Sequence, residues 1–144
     1  MKDEKIVYVG MAVDILHHGH INLLTEASKY GKVIIGLLND AAIESYKRKP
    51  INTFIYRKIV IENIKFVSKV VEQTTLDYRP NLEKYKPDFI VHGDDWLTGP
   101  QQQVRMQIQE QIKAWNGLII DVPYTKDIST TDIIDKIKKY NAEI

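Results

Sequence analysis

The chain contains no cysteine. That excludes disulfide scaffolds, Cys-ligated zinc, iron–sulfur clusters and thiol catalysis. No apolar run approaches the roughly 20 residues needed to span a bilayer, so no membrane association is expected. The opening Met-Lys-Asp-Glu-Lys leads straight into a short apolar run and lacks a signal peptide's long apolar stretch, which points to a soluble cytoplasmic protein. Neither sign of charge dominates. Twenty Lys and Arg stand against nineteen Asp and Glu, leaving a net charge of +1. A global basic field for nucleic acid is therefore not indicated. With 7 Gly, 5 Pro, 44% hydrophobic and 27% charged residues, the composition also argues against disorder and fibrous repeats. There is no internal repeat and no low-complexity segment.

What is present suits one domain over residues 1–144. A domain of this size buries roughly 70% of the surface its unfolded chain exposes. Short apolar runs alternate with amphipathic stretches. The runs at 6–9, 33–38, 67–71, 88–91 and 118–122 lack polar alternation, as strands buried on both faces do. Helical spacing appears over 21–30, 54–66, 104–115 and 133–140, while 74–86, with Pro80, reads as an irregular connection with one helical turn at most. This alternation predicts an open α/β sheet of about five parallel strands with helices on both faces. Ligands of such sheets collect at the carboxyl ends of the strands.

Three of the four histidines fall in His17-His18-Gly19-His20, between the first strand and the first helix. Gly19 permits close approach of a ligand. His17 and His20 are three apart across the turn into the helix, so both rings can face one ligand. The helix start adds free N–H groups and the positive end of its dipole. The sum is an anion site with two imidazoles; histidines that only cap or pack are the plainer alternative. Zinc competes, with Asp14 as a third ligand, but Asp14 suits loop structure better, and no protein-held metal is expected.

A second signal, Asp127-Ile128-Ser129-Thr130-Thr131-Asp132, precedes the last amphipathic stretch. Ser129 with Asp132 resembles a helix cap, and its hydroxyls and open N–H groups equally make a phosphate seat. Two helix starts at one sheet edge could hold one polyphosphate between them. Lys47-Arg48-Lys49, Arg57-Lys58 and Lys65 form a basic cluster, either a solvated face or a phosphate site. Arg57 and Lys65 are eight apart and are expected to share a helix face. His92-Gly93-Asp94-Asp95-Trp96 follows the fourth run, as a plain turn or part of a site, with Trp96 either core or a stacking wall.

Together, H-x-G-H in the first crossover, Gly-Asp-Asp-Trp and Ile-Ser-Thr-Thr resemble the cytidylyltransferases, over residues 5 to 140 or so. The resemblance implies a Rossmann-like nucleotidyltransferase fold and transfer of CMP from CTP to a small phosphate or phosphonate, with pyrophosphate leaving. It implies that His17, His20 and Lys47 stabilise the transition state. It places Ala12, Val13, Asp14, Gly19, Gly93, Asp94, Asp95, Trp96, Ile128, Ser129 and Thr130 around the nucleotide. Arg57 and Lys65 would bind phosphate groups, and Tyr78, Tyr124 and Lys126 would line the acceptor side. Magnesium would enter with the triphosphate, and the protein would be a homodimer. The chain departs from the family where Gly-Thr-Phe-Asp commonly stands, here Met11-Ala12-Val13-Asp14, and where Arg-Thr-Glu-Gly commonly stands, here Tyr124-Thr125-Lys126-Asp127. The Gly-Met-x-x-Asp and Tyr-Thr-Lys elements are similar to cytidylyltransferase domains joined to phosphoenolpyruvate mutase. That implies a phosphonate acceptor such as 2-hydroxyethylphosphonate, with a glycerol-3-phosphate-like acceptor as the other reading. An adenylyltransferase on the same scaffold, or a nucleotide-binding module without turnover, are the alternatives.

Overall fold

The computed structural model describes residues 4–143. Residues 1–3, part of the opening segment weighed above as a leader, lie outside the described residues. The five apolar runs form five strands: β1 (Ile6–Met11), β2 (Lys32–Leu38), β3 (Val67–Gln73), β4 (Phe89–Gly93) and β5 (Leu118–Val122). All pair in parallel, in the order β3-β2-β1-β4-β5. The chain therefore winds outward from β1 in one direction and then returns to β1's other side. The switch between β1 and β4 opens a crevice at the carboxyl ends of the strands.

Period-two alternation sends neighbouring side chains of each central strand to opposite faces. Val7, Val9, Val33, Ile35, Leu37 and Val91 join one buried cluster, which α1 (His18–Ser28) and α3 (Phe54–Glu62) cover through Leu24, Ala27 and Ile61. Tyr8, Ile34 and Ile90 join a second on the other face, covered by Leu82 of α4 (Arg79–Tyr85) and Ile108 of α5 (Gln102–Gln111). Helices thus lie on both faces, and the fold is the expected Rossmann-like α/β sheet.

The helices differ from the sequence expectation in detail. α2 (Asp40–Glu44) is short and starts on an Asn39 cap, whose side chain accepts from the Ala42 N–H at 2.8 Å. The stretch expected to be irregular holds α4. Asp77 accepts from the Arg79 N–H at 3.0 Å, and Pro80 sits in the first turn, where its missing N–H costs nothing. α3 stops at Glu62 rather than running to Phe66. Ile64 and Phe66 instead pack against the core from the turn into β3. The third amphipathic stretch divides into α5 and a 3-10 turn over Ile112–Trp115. The last helix, α6 (Thr130–Glu143), begins three residues early.

One polar knot crosses the sheet. Tyr8 donates its hydroxyl hydrogen to Gln73 at 2.5 Å and accepts from Asn81 at 3.1 Å, binding β1, β3 and α4 together. Gly36 of β2 leaves the space that the Tyr8 ring and hydroxyl occupy; a Cβ there would collide with both. Gly36→Ala should therefore destabilise the fold by about 1–3 kcal/mol. A urea midpoint at the wild-type value would contradict this.

Candidate functional site

A cavity of about 420 Å³ opens at the carboxyl ends of β1, β2, β4 and β5. His17, Gly19 and His20 line it from one side, and Ile128, Ser129, Thr130 and Thr131 from the other. The two motifs, over a hundred residues apart in sequence, touch. A Cβ on Gly19 would stand 3.3 Å from Ile128 Cγ2 and 2.9 Å from the His17 ring. Asn22 of α1 also donates to the Thr125 hydroxyl at 3.2 Å. Gly19 is thus required by close packing at the point where the two segments meet.

The histidines close the start of α1 reciprocally. His17 Nδ1 accepts from the Gly19 N–H, and His20 Nδ1 accepts from the His17 N–H, both at 3.1 Å. The rings stack with centroids 3.8 Å apart. A nitrogen that accepts from an N–H carries no proton, so in each neutral ring the proton sits on Nε2. Burial, with the neighbouring His17 and Lys47, pushes His20 down to about 3. Burial, with His18 beside it, lowers His17 as well. Both rings are therefore neutral Nε2–H donors at physiological pH.

Across the cavity, Ser129 caps α6. Its oxygen accepts from the Asp132 N–H at 3.0 Å, which leaves the hydroxyl hydrogen and the first amides of α6 for a ligand. Lys47 and Arg48 add cationic groups to the lining. Burial and the neighbouring Arg48 lower the Lys47 ammonium, against the pull of Asp14. Its charge is easier to hold once an anion arrives.

Asp14 is buried and its oxygens are occupied. It accepts from the backbone of Ile51 at 2.8 Å and Asn52 at 2.9 Å, and from Arg48 at 2.9 Å. Burial alone would raise this carboxyl; the two amides and the guanidinium outweigh it and hold it low. Asp14 is thus a latch that carries the Lys47–Arg48 loop to the cavity. Val13 beside it holds φ +45°, a left-handed conformation that costs a β-branched residue strain. Ala12 and Val13 line the cavity with Asp14.

Several residues expected at the site stand elsewhere. Arg57 is 1% exposed. Its guanidinium donates to the carbonyls of Asn52, Ala12 and Leu38 and to the Asp40 carboxylate, at 2.7–2.9 Å. It pins the ends of β1 and β2 and presents nothing to the main cavity. Lys65 precedes β3 at the amino edge of the sheet, about 20 Å from the cavity by the length of a seven-residue strand. α3 ends before reaching it, so Arg57 and Lys65 share no helix face. Lys126 is exposed and lies outside the cavity lining. Trp96 is core, 1% exposed, behind the cavity wall. Asp94 is not part of the lining and accepts from the Tyr124 N–H at 3.0 Å, while Gly93, Asp95 and Tyr124 do line the cavity. Tyr78 lines it too, with its hydroxyl donated to the Gly10 carbonyl at 3.4 Å. Sequence reasoning passed over Tyr46, Leu76 and Gln101, which line the cavity, and gave no individual role to His92, Arg48 and Thr131, which stand in its motifs and line the cavity as well. His92 had a signal, as the last side chain before a strand-ending glycine.

The fold is a Rossmann-like parallel α/β sheet, and two helix starts meet at one cavity on its carboxyl edge. The cytidylyltransferase-like family model matches residues 8–136, and the chain belongs to that family. The bifunctional protein HldE of Pseudomonas aeruginosa (strain LESB58) is 34% identical over 139 residues, covering 94% of this chain and 28% of that protein. HldE of Alcanivorax borkumensis is 30% identical over the same shares. The chain therefore spans little over a quarter of the length of these relatives. Among solved structures, the lipopolysaccharide core biosynthesis protein of Thermoplasma volcanium superposes with a TM-score of 0.72 at 23% identity, over 85% of this chain and 99% of that one. The pantoate-beta-alanine ligase of Francisella tularensis superposes with a TM-score of 0.59 at 19% identity, over 98% and 72%.

Arg57→Met should lower stability by about 2–4 kcal/mol, because it strands buried carbonyls; Lys65→Ala should leave turnover at the wild-type rate. An Arg57→Met variant with a wild-type melt and a raised KM would contradict the pinning role. For His20, the unfolded ring binds a proton below pH 6.5 and the folded ring does not until about pH 3. Stability should then fall as pH falls between those limits. Urea melts taken from neutral pH downward should show a steeper loss in wild type than in His20→Asn; equal slopes would contradict it.

Proposed function

We propose that the chain transfers a cytidylyl group from CTP to a phosphate or phosphonate oxygen of a small polar acceptor and releases pyrophosphate. The observation that carries this reading is the meeting of two helix starts, one bearing two neutral imidazole donors and the other a serine cap, around one cavity with Lys47 at its rim. An acceptor oxygen anion attacks the α-phosphorus, the new P–O bond forms, and the bond to the β-phosphate oxygen breaks. The acceptor already carries its charge, so no strong base and no covalent intermediate is needed. The problem is to bring two anions into line and to neutralise charge on the leaving oxygens. The Nε2–H groups of His17 and His20, the first amides of α6 and Lys47 supply that. Being neutral, the imidazoles can donate while keeping their Nδ1 lone pairs on the backbone.

Magnesium would accompany the triphosphate. The cavity carboxylates are Asp14, whose oxygens are occupied, and Asp95, so phosphate oxygens and water would furnish most ligands of such an ion. The cytidylyl choice rests on the sequence resemblance and the family. The phosphonate acceptor rests on the Gly-Met-x-x-Asp and Tyr-Thr-Lys elements. The Francisella ligase was solved complexed with beta-gamma ATP, which makes ATP the comparison nucleotide. We read the chain as one domain acting in the cytoplasm as a homodimer. No helix of the described residues is long and apolar enough to cross a membrane. Exposed Ile55, Tyr56, Ile59 and Val60 on α3 give a second copy an apolar face.

Pyrophosphate release with CTP should exceed that with ATP by at least about tenfold, a difference of some 1.4 kcal/mol. The acceptor panel is 2-hydroxyethylphosphonate, 2-aminoethylphosphonate, glycerol-3-phosphate, phosphoethanolamine and phosphocholine. A preference for ATP would move the assignment to adenylyl transfer, and tight CTP binding with no release for any acceptor would favour a binding module. His17→Ala and His20→Ala should each retain the fold and lose on the order of 10²–10³ in turnover. Unchanged rates with matched melts would remove the mechanism.

A further inference from the structure

His92 is the third histidine in the cavity lining, and nothing in the mechanism above uses it. Its Nδ1 lies 2.7 Å from the carbonyl oxygen of Gly93. A carbonyl only accepts, so Nδ1 must carry the proton. Burial lowers the ring's affinity for a second proton, against the Gly93 carbonyl, Asp95 and Asp121. The ring is therefore neutral, and Nε2 holds a lone pair. Among the described residues no group donates to Nε2, and Nε2 is not among the sealed-off polar atoms. It is open to the cavity. This is the opposite tautomer to that of His17 and His20, so one cavity holds two imidazole donors and one imidazole acceptor.

The ring's position is enforced from behind. It stacks on Trp96 with centroids 4.0 Å apart and planes 6° from parallel. Trp96 Nε1–H donates to Asp121 at 2.6 Å, and Arg105 grips the same carboxylate at 2.7 and 3.2 Å. Such a supported side chain suits specificity, since a lone pair at a fixed point penalises any ligand that brings no donor to it. The carboxylate of Asp95, 3.7 Å from the His92 ring, adds negative potential. The corner is thus opposite in character to the donor-rich phosphate end. Trp96 also packs against Tyr78, 6.1 Å between rings, on the stretch assigned to the acceptor.

From this the geometry points to His92 as a specificity-determining residue: its Nε2 accepts a hydrogen bond from a hydroxyl or ammonium group that the acceptor substrate carries away from its phosphate or phosphonate. The inference rests on the reading that the cavity takes such an acceptor. The test compares 2-hydroxyethylphosphonate and 2-aminoethylphosphonate, which carry the donor, with ethylphosphonate, which does not. Wild type should favour the donor-bearing pair by at least about 10²-fold in kcat/KM. His92→Phe, which keeps the stack on Trp96, should collapse that preference while leaving the KM for CTP unchanged. His92→Gln, which returns an acceptor atom, should restore part of it. An equal loss on all three acceptors, a wild type that uses ethylphosphonate equally well, or a raised CTP KM with the preference intact would overturn the assignment.

A binding readout separates this from the transfer reaction. Imidazole 15N shifts of wild type should show His92 protonated on Nδ1. Its Nε2 should move on addition of either donor-bearing phosphonate and stay put with ethylphosphonate. That response without pyrophosphate release would sink the transfer reading and leave His92 in place; no response to any of the three would sink His92. The hydroxyl and ammonium arms distinguish the two donor sources.

Discussion

Each of the two motif histidines commits its Nδ1 lone pair to a backbone N–H at the start of α1, and the rest of the site depends on that exchange. The reciprocal bond shapes the turn, stacks the rings and leaves the proton of each on Nε2. Protonating either ring at Nδ1 would break its cap and place a charge beside its stacked neighbour in a half-buried site, which favours the neutral form of both rings. A neutral donor whose orientation is set before substrate arrives needs no reorganisation as charge builds on a leaving phosphate. The helix start thereby orients the two side chains, its Gly19 and His20 amides being taken by the His17 ring and carbonyl.

The loops that carry the other groups are held by a few polar side chains, of which Asp14 and Arg57 are buried. Asp14 ties the β1 loop to residues 48–52, Arg57 ties the ends of β1 and β2 to Asp40, and Asp94 ties the turn after β4 to Tyr124. Asp121 joins Trp96 to Arg105 behind His92. Each partner set is satisfied, so these charges act as pins rather than liabilities. A rigid rim built this way suits a reaction in which positioning and charge neutralisation carry most of the work. The strain at Val13 sits at the point where the β1 loop must turn toward Asp14.

Much of the fold was legible because buried parallel strands leave unbroken apolar runs; residues 118–122 were read to the residue. α2 and α4 were not, since five and seven residues are too few to show a period. α3 was read too long because Ile64 and Phe66 continue the apolar spacing from a turn. Within the site, the His motif and the Ile-Ser-Thr-Thr element could be placed because strand-to-helix junctions of a parallel sheet share one edge. Arg57 could not: a sequence shows that a cation is present but not whether it faces solvent, substrate or three backbone carbonyls. Lys65 was misplaced with it once the helix was drawn too long. His92 stood inside a recognised turn, and only its ring geometry separates it from a strand end.

The central claim is that both helix starts grip the same triphosphate, α1 through its neutral imidazoles and α6 through its serine cap and first amides. The most direct measurement is a 15N–1H NMR titration with CTP that follows backbone amides and imidazole nitrogens together. The account predicts that the amides of Gly19 and His20 and those of Ser129 to Thr131 shift in concert, with His17 and His20 still protonated on Nε2 alone. A response confined to one of the two segments, or rings that gain a second proton on binding, would contradict it.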